Sequence, residues 1–514
     1  MPQETVHAIG RNSTSHTEEG KGISEKGHMN GDDIGVTALT GAVTEIDPNG
    51  PEARRVLKKI DLHLMPLLMI TYMIQFLDKS CVSYAALWGM KEDADLVGAE
   101  YSWLTTIFYI GYLVFEFPVG FLIQKFNIAR VCGIFITLWG VVLLCMTAAN
   151  DFAGLATARF FLGAMESGVS PCFVLMTTMF YNRSEQPFRT GIWFSMNGLA
   201  QIFGGLIAYG IGYINTAVPS WKFPFIIFGA ATIIWGVVFT LLAPSNPTQA
   251  RWLSAKEKEI AILRLVENET GIDNKTIKWY QVNEAFVDPR FWLINLYMLV
   301  NCIPNGAISA FGPLIVNGFG FTKFQATLLG MPTGVTQVMA LWIAGYIATK
   351  FNGCRHFLMI GGILIATLGS SLIYALSDEQ RIGRLLANHS SGYYIIVGFS
   401  VAFVQGLGIV QANVAGRTKK NVFTSSVFVS YCVGNLIGPQ VFLEREAPRY
   451  RTGFAVILGC FGFQILLLVG MYFLNVLENR RRDRATPVDG DAHNAEQSLS
   501  DLTDKENPNF RYVL

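Results

Sequence analysis

Beyond about residue 60 the chain alternates long apolar runs with short polar breaks. Twelve runs stand out, near 62–86, 101–123, 131–149, 152–181, 191–213, 222–243, 291–316, 325–348, 356–376, 392–415, 422–443 and 453–476. A helix of about 20 residues, rising 1.5 Å at each, crosses a hydrocarbon core of about 30 Å, so each run predicts a membrane-spanning helix. Between the sixth and seventh runs lies a charged stretch, Pro244 to Arg290, in which SAKEKEIAILRLVENE has helical amphipathic spacing. The pattern predicts an all-α membrane protein with twelve transmembrane helices in two six-helix bundles. Its expected divisions are an N-terminal tail (1–60), a first bundle (61–243), a linker with amphipathic helices (244–290), a second bundle (291–478) and a C-terminal tail (479–514). The N-terminal tail is rich in Gly, Ser, Thr, Asn, Asp and Glu without an apolar period, and reads as disordered. No cleaved signal peptide is legible there, so the first membrane helix is expected to direct targeting.

Composition supports the lipid setting and removes several functions. The chain is 51% hydrophobic and 15% charged, and a net charge of +1 gives no reason to expect a nucleic-acid partner. Its eight cysteines lack CxxC or Cys/His spacing, so neither disulfides nor a metal site is expected, and no cofactor is implied. The seven histidines fall in tails, loops or helix ends, which argues against an enzyme. Arg54, Arg55, Lys58 and Lys59, the basic linker, and the NRRRDR run from Asn479 place both termini on the cytoplasmic side. A monomer in the plasma membrane is expected.

Ionisable residues inside apolar runs change the picture most. Arg159 and Glu166 lie two helical turns apart in the fourth run, hence on one face. A charge at the bilayer centre costs at least about 2.5 kcal/mol, so that face should turn to a bundle interior or a wet cavity. Asp78 and Lys79 of the first run lie at a similar depth. The expected geometry brings Asp78 or Lys79 to Arg159, with Glu166 nearer the midplane. A purely structural ion network between helices 1 and 4 is the alternative. Glu116 of the second run lies near the cytoplasmic face, where Lys125 or another inner-loop cation could pair with it as part of a gate. The second bundle offers neutral amides instead, notably Asn301, Asn305, Gln337, Gln405 and Asn435, joined by Asn197 and Gln201 of the first. Asn301, Asn305, Gln201 and Gln405 are candidate ligand contacts, although such amides also hydrogen-bond between helices. Asn388 carries a sequon in a predicted outer loop and is a candidate glycan site.

The bundles also repeat each other. After the second run the chain reads G120-FLIQ-KFN-IA-R130, and after the eighth G345-YIAT-KFN-GC-R355, offset by 225 residues. Duplicated helical halves around a midplane site are characteristic of secondary transporters. The repeated segment resembles the loop motif of the major facilitator superfamily, although Gln124 stands where an aspartate is usual. LDKSCVSYAAL from Leu77, R159-FFLGAMESGVSP, PSNPTQARWL from Pro244, GFGFTKFQATLLGMPTG from Gly318, GNLIGPQ from Gly434 and AP-R-Y-RTG from Ala447 look like the fungal anion:cation symporters of the allantoate and nicotinate permease type. The resemblance covers about residues 55–478. It implies proton-coupled uptake of a small organic anion, such as a vitamin, nicotinate-, allantoate- or amino-acid-like carboxylate. It further implies Asp78 and Glu166 as proton carriers, Lys79 as ligand of the substrate carboxylate, and Arg159 as the partner controlling Glu166. Lys125, Arg130, Lys350 and Arg355 of the two loop copies would belong with Glu116 to the gate. Export of a fungal secondary metabolite is the alternative function.

Overall fold

A computed structural model describes residues 50–182, 185–266, 278–351, 353–375, 392–447, 449–485 and 502–514. Most of the expected N-terminal tail and the sequon at Asn388 lie outside the described residues. The N-terminal half comprises α1 (Pro51–Leu87), α2 (Glu100–Lys125), α3 (Ile128–Ala148), α4 (Phe152–Phe180), α5 (Phe188–Ile211) and α6 (Ser220–Leu242). Two short linker helices follow, α7 (Ala255–Val266) and α8 (Trp279–Val287). The C-terminal half comprises α9 (Pro289–Gly318), α10 (Lys323–Lys350), α11 (Arg355–Ala375), α12 (Gly392–Asn413), α13 (Arg417–Ile437) and α14 (Arg451–Ala485). Eleven of these helices are long and apolar enough to cross a membrane; α2, with Glu100, Glu116 and Lys125 along 26 residues, makes the twelfth.

Local sequence sets the helix starts. Asp151 accepts the amide of Gly154 at 2.9 Å to cap α4, Asp288 accepts that of Arg290 at 3.0 Å to cap α9, and Thr322 with Gln325 forms a capping box at α10. The helical run of α4 breaks at Ser167–Gly168, immediately after Glu166. Tight helix contacts then need glycine. A Cβ on Gly163 would lie 1.9 Å from the Phe108 carbonyl oxygen, so α4 and α2 approach as closely as backbones allow beside Glu166. Gly198 of α5 and Gly334 of α10 meet in the same way across the two halves. The outward side is apolar: Ile134, Leu138 and Val141 of α3 and Ile234, Val237 and Leu241 of α6 are exposed, as lipid-facing surfaces should be.

The halves also join at the end away from the termini. Tyr101 donates to the Ala310 carbonyl at 2.6 Å and Gln440 donates to Thr106 Oγ1 at 2.9 Å. At the terminal end each half instead closes on itself and on one linker helix. In the N-terminal half Arg189 forks onto Asp61 at 3.2 and 3.0 Å, and α7 docks through Arg264–Glu185 at 2.6 Å. In the C-terminal half Lys419 meets Asp288 at 3.1 Å, and α8 docks through Glu284 at 2.9 Å. Asp288 follows Asp61 by 227 residues and Lys419 follows Arg189 by 230, close to the offset of the loop repeat. The internal duplication is thus visible as a pair of matching ion pairs.

Candidate functional site

A cavity of about 870 Å³, part of it open to solvent, lies between the halves, walled by α1, α5, α9, α10 and α12. Helix α1 presents Phe76, Ser80, Ser83 and Tyr84 to it, residues that share one face at about 100° per residue. From α5 come Asn197 and Gln201, and from α9 Asn305 and Ser309. Gln201 donates to Gln337 Oε1 at 3.0 Å and Gln337 donates to Ser400 Oγ at 3.0 Å, an amide bar running from α5 through α10 to α12. Among the described residues the lining holds no carboxylate, lysine or arginine. Its chemistry is hydroxyl, amide and aromatic.

The charged residues sit at one edge, behind α1. Lys79 Nζ lies 3.4 Å from Glu166 Oε2; the Lys79 side chain keeps 19% exposure and that of Glu166 none. Lys79 follows Phe76 by one turn and adjoins Ser80, both lining residues, while neither Lys79 nor Glu166 belongs to the lining itself. Arg159, fully enclosed, donates from Nε to the Leu104 carbonyl at 3.4 Å and leaves Nη1 without a hydrogen bond. Phe108 of α2 stands between the two cations, its ring 5.8 Å from Lys79 Nζ and 5.2 Å from Arg159 Cζ.

This geometry changes several expectations. The nearest cation to Glu166 is Lys79, and Arg159 is held on α2 instead. Asp78 does not reach Arg159 by a hydrogen bond. It lies about 200° around α1 from Phe76 and points away from the cavity, where Trp139 Nε1 of α3 and Thr232 Oγ1 of α6 both donate to its Oδ2, the latter at 3.1 Å. Asn301 is buried and donates to Gln464 Oε1 of α14 at 3.0 Å rather than lining the cavity. Gln405 is likewise buried in α12, outside the lining, whereas Asn305 and Gln201 belong to it. Among the described residues no ion pair reaches Glu116, and Lys125, Arg130 and Lys350 are exposed. Arg355 donates to the Gly408 carbonyl at 2.7 Å, joining α11 to α12. Asn127 ties the first loop copy to the segment after α6, accepting from Ser245 at 2.5 Å and donating to Gln249 at 3.1 Å. Ser80, Ser83, Tyr84, Ser309 and Tyr393 are lining residues that the sequence reading passed over. For Ser80, Ser83 and Tyr84 the period Phe76–Ser80–Ser83 on one face of α1 was a signal; Ser309 and Tyr393 had none.

Two halves with a matching loop motif, matching terminal-end ion pairs and a polar chamber between them describe a recognised architecture. Residues 68–439 match the family model of the Major Facilitator Superfamily. The chain belongs to that superfamily. This major facilitator transporter is 40% identical over 468 residues to the Schizosaccharomyces pombe protein named Uncharacterized transporter C757.13, covering 90% of this chain and 87% of that one. It is 35% identical over 484 residues to the allantoate permease of Saccharomyces cerevisiae, covering 91% and 88%. Its fold is similar to that of a bacterial homologue of the human lysosomal transporter Spinster, with a TM-score of 0.56 at 16% identity over 80% of this chain and 96% of that one. That likeness bears on the fold alone.

Proposed function

We propose that this transporter takes up a small organic anion together with protons, by alternating access between its halves, as a monomer in the plasma membrane with both termini cytoplasmic. The observation that carries the reading is the Lys79–Glu166 pair, its carboxylate fully enclosed, on α1 next to the cavity-lining residues Phe76 and Ser80. Accumulating an anion in a cell that is negative inside costs about 2.3 kcal/mol per 100 mV for each charge, so positive charge must enter with it. A substrate carboxylate arriving at Lys79 competes with Glu166 for the ammonium. A fully enclosed carboxylate deprived of its cation is stabilised by taking up a proton, and that proton travels with the substrate. Arg159, fixed on α2, keeps a positive field at the corner throughout. Asp78, accepting two donors on one oxygen and none on the other, is a second proton-holding group reached through α3 and α6.

The test is accumulation of labelled allantoate and nicotinate in cells lacking their own permeases, at acidic and neutral outer pH, with and without an uncoupler. Greater accumulation in acid, abolished by the uncoupler, is expected. Glu166→Gln should remove the pH dependence while the protein still reaches the cell surface. Accumulation that rises on uncoupling would instead identify proton-driven export.

A further inference from the structure

The segment 502–514 does not behave as a tail. It folds back onto the terminal end of the C-terminal half, with Thr503, Asp504 and Tyr512 each at most 2% exposed. Two asparagines hold its backbone. Asn479 of α14 donates to the Tyr512 carbonyl at 2.8 Å and accepts the Tyr512 amide at 2.9 Å. Asn413 of α12 does the same to Val513, at 2.9 and 2.7 Å. Each side-chain amide therefore satisfies both polar groups of one residue's backbone, which otherwise demand partners when buried.

The side chains of the segment are read as well. Asp504 lies 2.7 Å from Lys419, which is fully enclosed and shared with Glu284 of α8 and Asp288 of α9. Tyr512 donates to Asp504 Oδ2 at 2.7 Å, and the Arg290 guanidinium lies 3.8 Å from the centre of its ring. Thr503 donates to Glu284 at 3.0 Å, so the segment and the linker helix converge on one lysine. A mostly apolar recess of about 340 Å³, part of it open to solvent, adjoins it, bounded by Asp504, Asn413, Phe423 and Met471 among others. Backbone clasps, an ion pair and an aromatic ring in a cationic slot are the elements by which a protein groove recognises an extended peptide.

We propose that the terminal end of the C-terminal half is a peptide-binding site whose ligand is this chain's own segment 502–514, recognised through the Asn413 and Asn479 clasps and the Asp504–Lys419 pair. The occupied site braces the α12–α13 turn and the docked linker helix as one block. Sixteen residues, 486–501, join α14 to the segment, so the tethered ligand acts at high effective concentration and excludes the same peptide added from outside. Disabling the tethered copy without touching the groove should open the site.

The experiment uses the full chain in detergent and a fluorescein-labelled synthetic peptide of residues 502–514, followed by anisotropy. Asp504→Lys sets two cations against each other and spoils only the tethered ligand. That variant should bind the native peptide saturably and at least roughly tenfold more tightly than the unmodified chain does. Adding Asn413→Ala and Asn479→Ala should remove the binding. Equal binding to both chains, binding of a scrambled peptide, or none to Asp504→Lys would overturn the proposal. Hydrogen exchange gives an independent reading on the unmodified fold. Slow exchange at the Tyr512 and Val513 amides, accelerated at least roughly tenfold in Asn413→Ala/Asn479→Ala while α12 and α14 stay protected, is expected. Fast exchange there in the unmodified chain, or acceleration throughout the half, counts against it.

Discussion

In the N-terminal half the ionisable groups sit inside the bundle, with Asp78, Arg159 and Glu166 almost fully buried and Lys79 largely so, while of the two ion pairs that dock its linker helix Arg264–Glu185 is largely buried and Lys59–Glu257 is open to solvent. The C-terminal half reverses this. Its interior is held by amides, Asn301 on Gln464, and its buried charge lies at the terminal end, where Lys419 is enclosed by Glu284, Asp288 and Asp504. The duplication is retained where both halves need the same joint, at Asp61–Arg189 and Asp288–Lys419. It is lost where they do different work. A charge whose partner can be taken away belongs beside a cavity, and a charge that fastens a brace belongs away from it.

Breaking the interior pair of the N-terminal half should have the largest effect. Lys79→Met leaves Glu166 enclosed without the cation that faces it, and breaking a buried pair from one side costs about 3–5 kcal/mol. The lower end applies, because the Lys79 side chain keeps 19% exposure. The double variant Lys79→Met/Glu166→Gln removes both charges and should recover most of the thermal stability in detergent, though no transport. A double variant as unstable as the single one would show that Glu166 depends on Arg159 rather than on Lys79.

The matching intervention in the C-terminal half is Asn301→Leu. It removes donors to Gln464 Oε1 and, at 3.5 Å, to the Phe399 carbonyl, and leaves no charge stranded. Hydrogen bonds between membrane helices are worth about 0.6 kcal/mol on average, so a loss of about 1 kcal/mol is expected, with substrate affinity in uptake assays unchanged. A change in the KM for uptake at unaltered stability would return Asn301 to the binding site and weaken the contrast between the halves.

Much of this was legible in the residues and some was not, for reasons specific to each. Spans of about 20 apolar residues announce themselves, and even α2, diluted by Glu100 and Glu116, was bracketed by its neighbours. Depth could be counted along α1 and α4, so the four ionisable residues were found together. Depth does not give helix rotation, however. It cannot show that Asp78 turns to Trp139 and Thr232 while its neighbour Lys79 turns to Glu166, because that is decided by how α3, α4 and α6 pack. Asn301 and Asn305 lie one turn apart with Pro304 between them, and a proline marks a kink without giving its direction. The segment 502–514 was read as tail because it is polar, although Thr503 and Glu506, which cap each other at 2.8 and 3.2 Å, carry the T-x-x-E helix-start signature.

The smallest effect is expected at the exposed joint of the N-terminal half, and its size tests the claim that burial, rather than the count of ion pairs, separates the two ends. Glu257 opens α7 by accepting the Ser254 amide at 2.8 Å and meets Lys59 at 2.7 Å, with side-chain exposures of 28% and 37%. The hydrogen bond from Lys59, followed by that from the Ser254 amide, holds the Glu257 carboxyl below the usual range. A lowered carboxyl contributes stability above its unfolded value of about 4.3 and loses that contribution as pH falls through the folded one. Water and salt screen the pair, so Glu257→Gln should cost less than about 1 kcal/mol near neutral pH, and the difference should vanish at about 1 M salt or in acid. The enclosed Lys419 cluster should be nearly indifferent to the same salt, because ions do not enter it. Melting curves of Glu257→Gln and Lys419→Met at low and high salt make the comparison, and equal salt sensitivity of the two would show that the cluster under segment 502–514 is open to water.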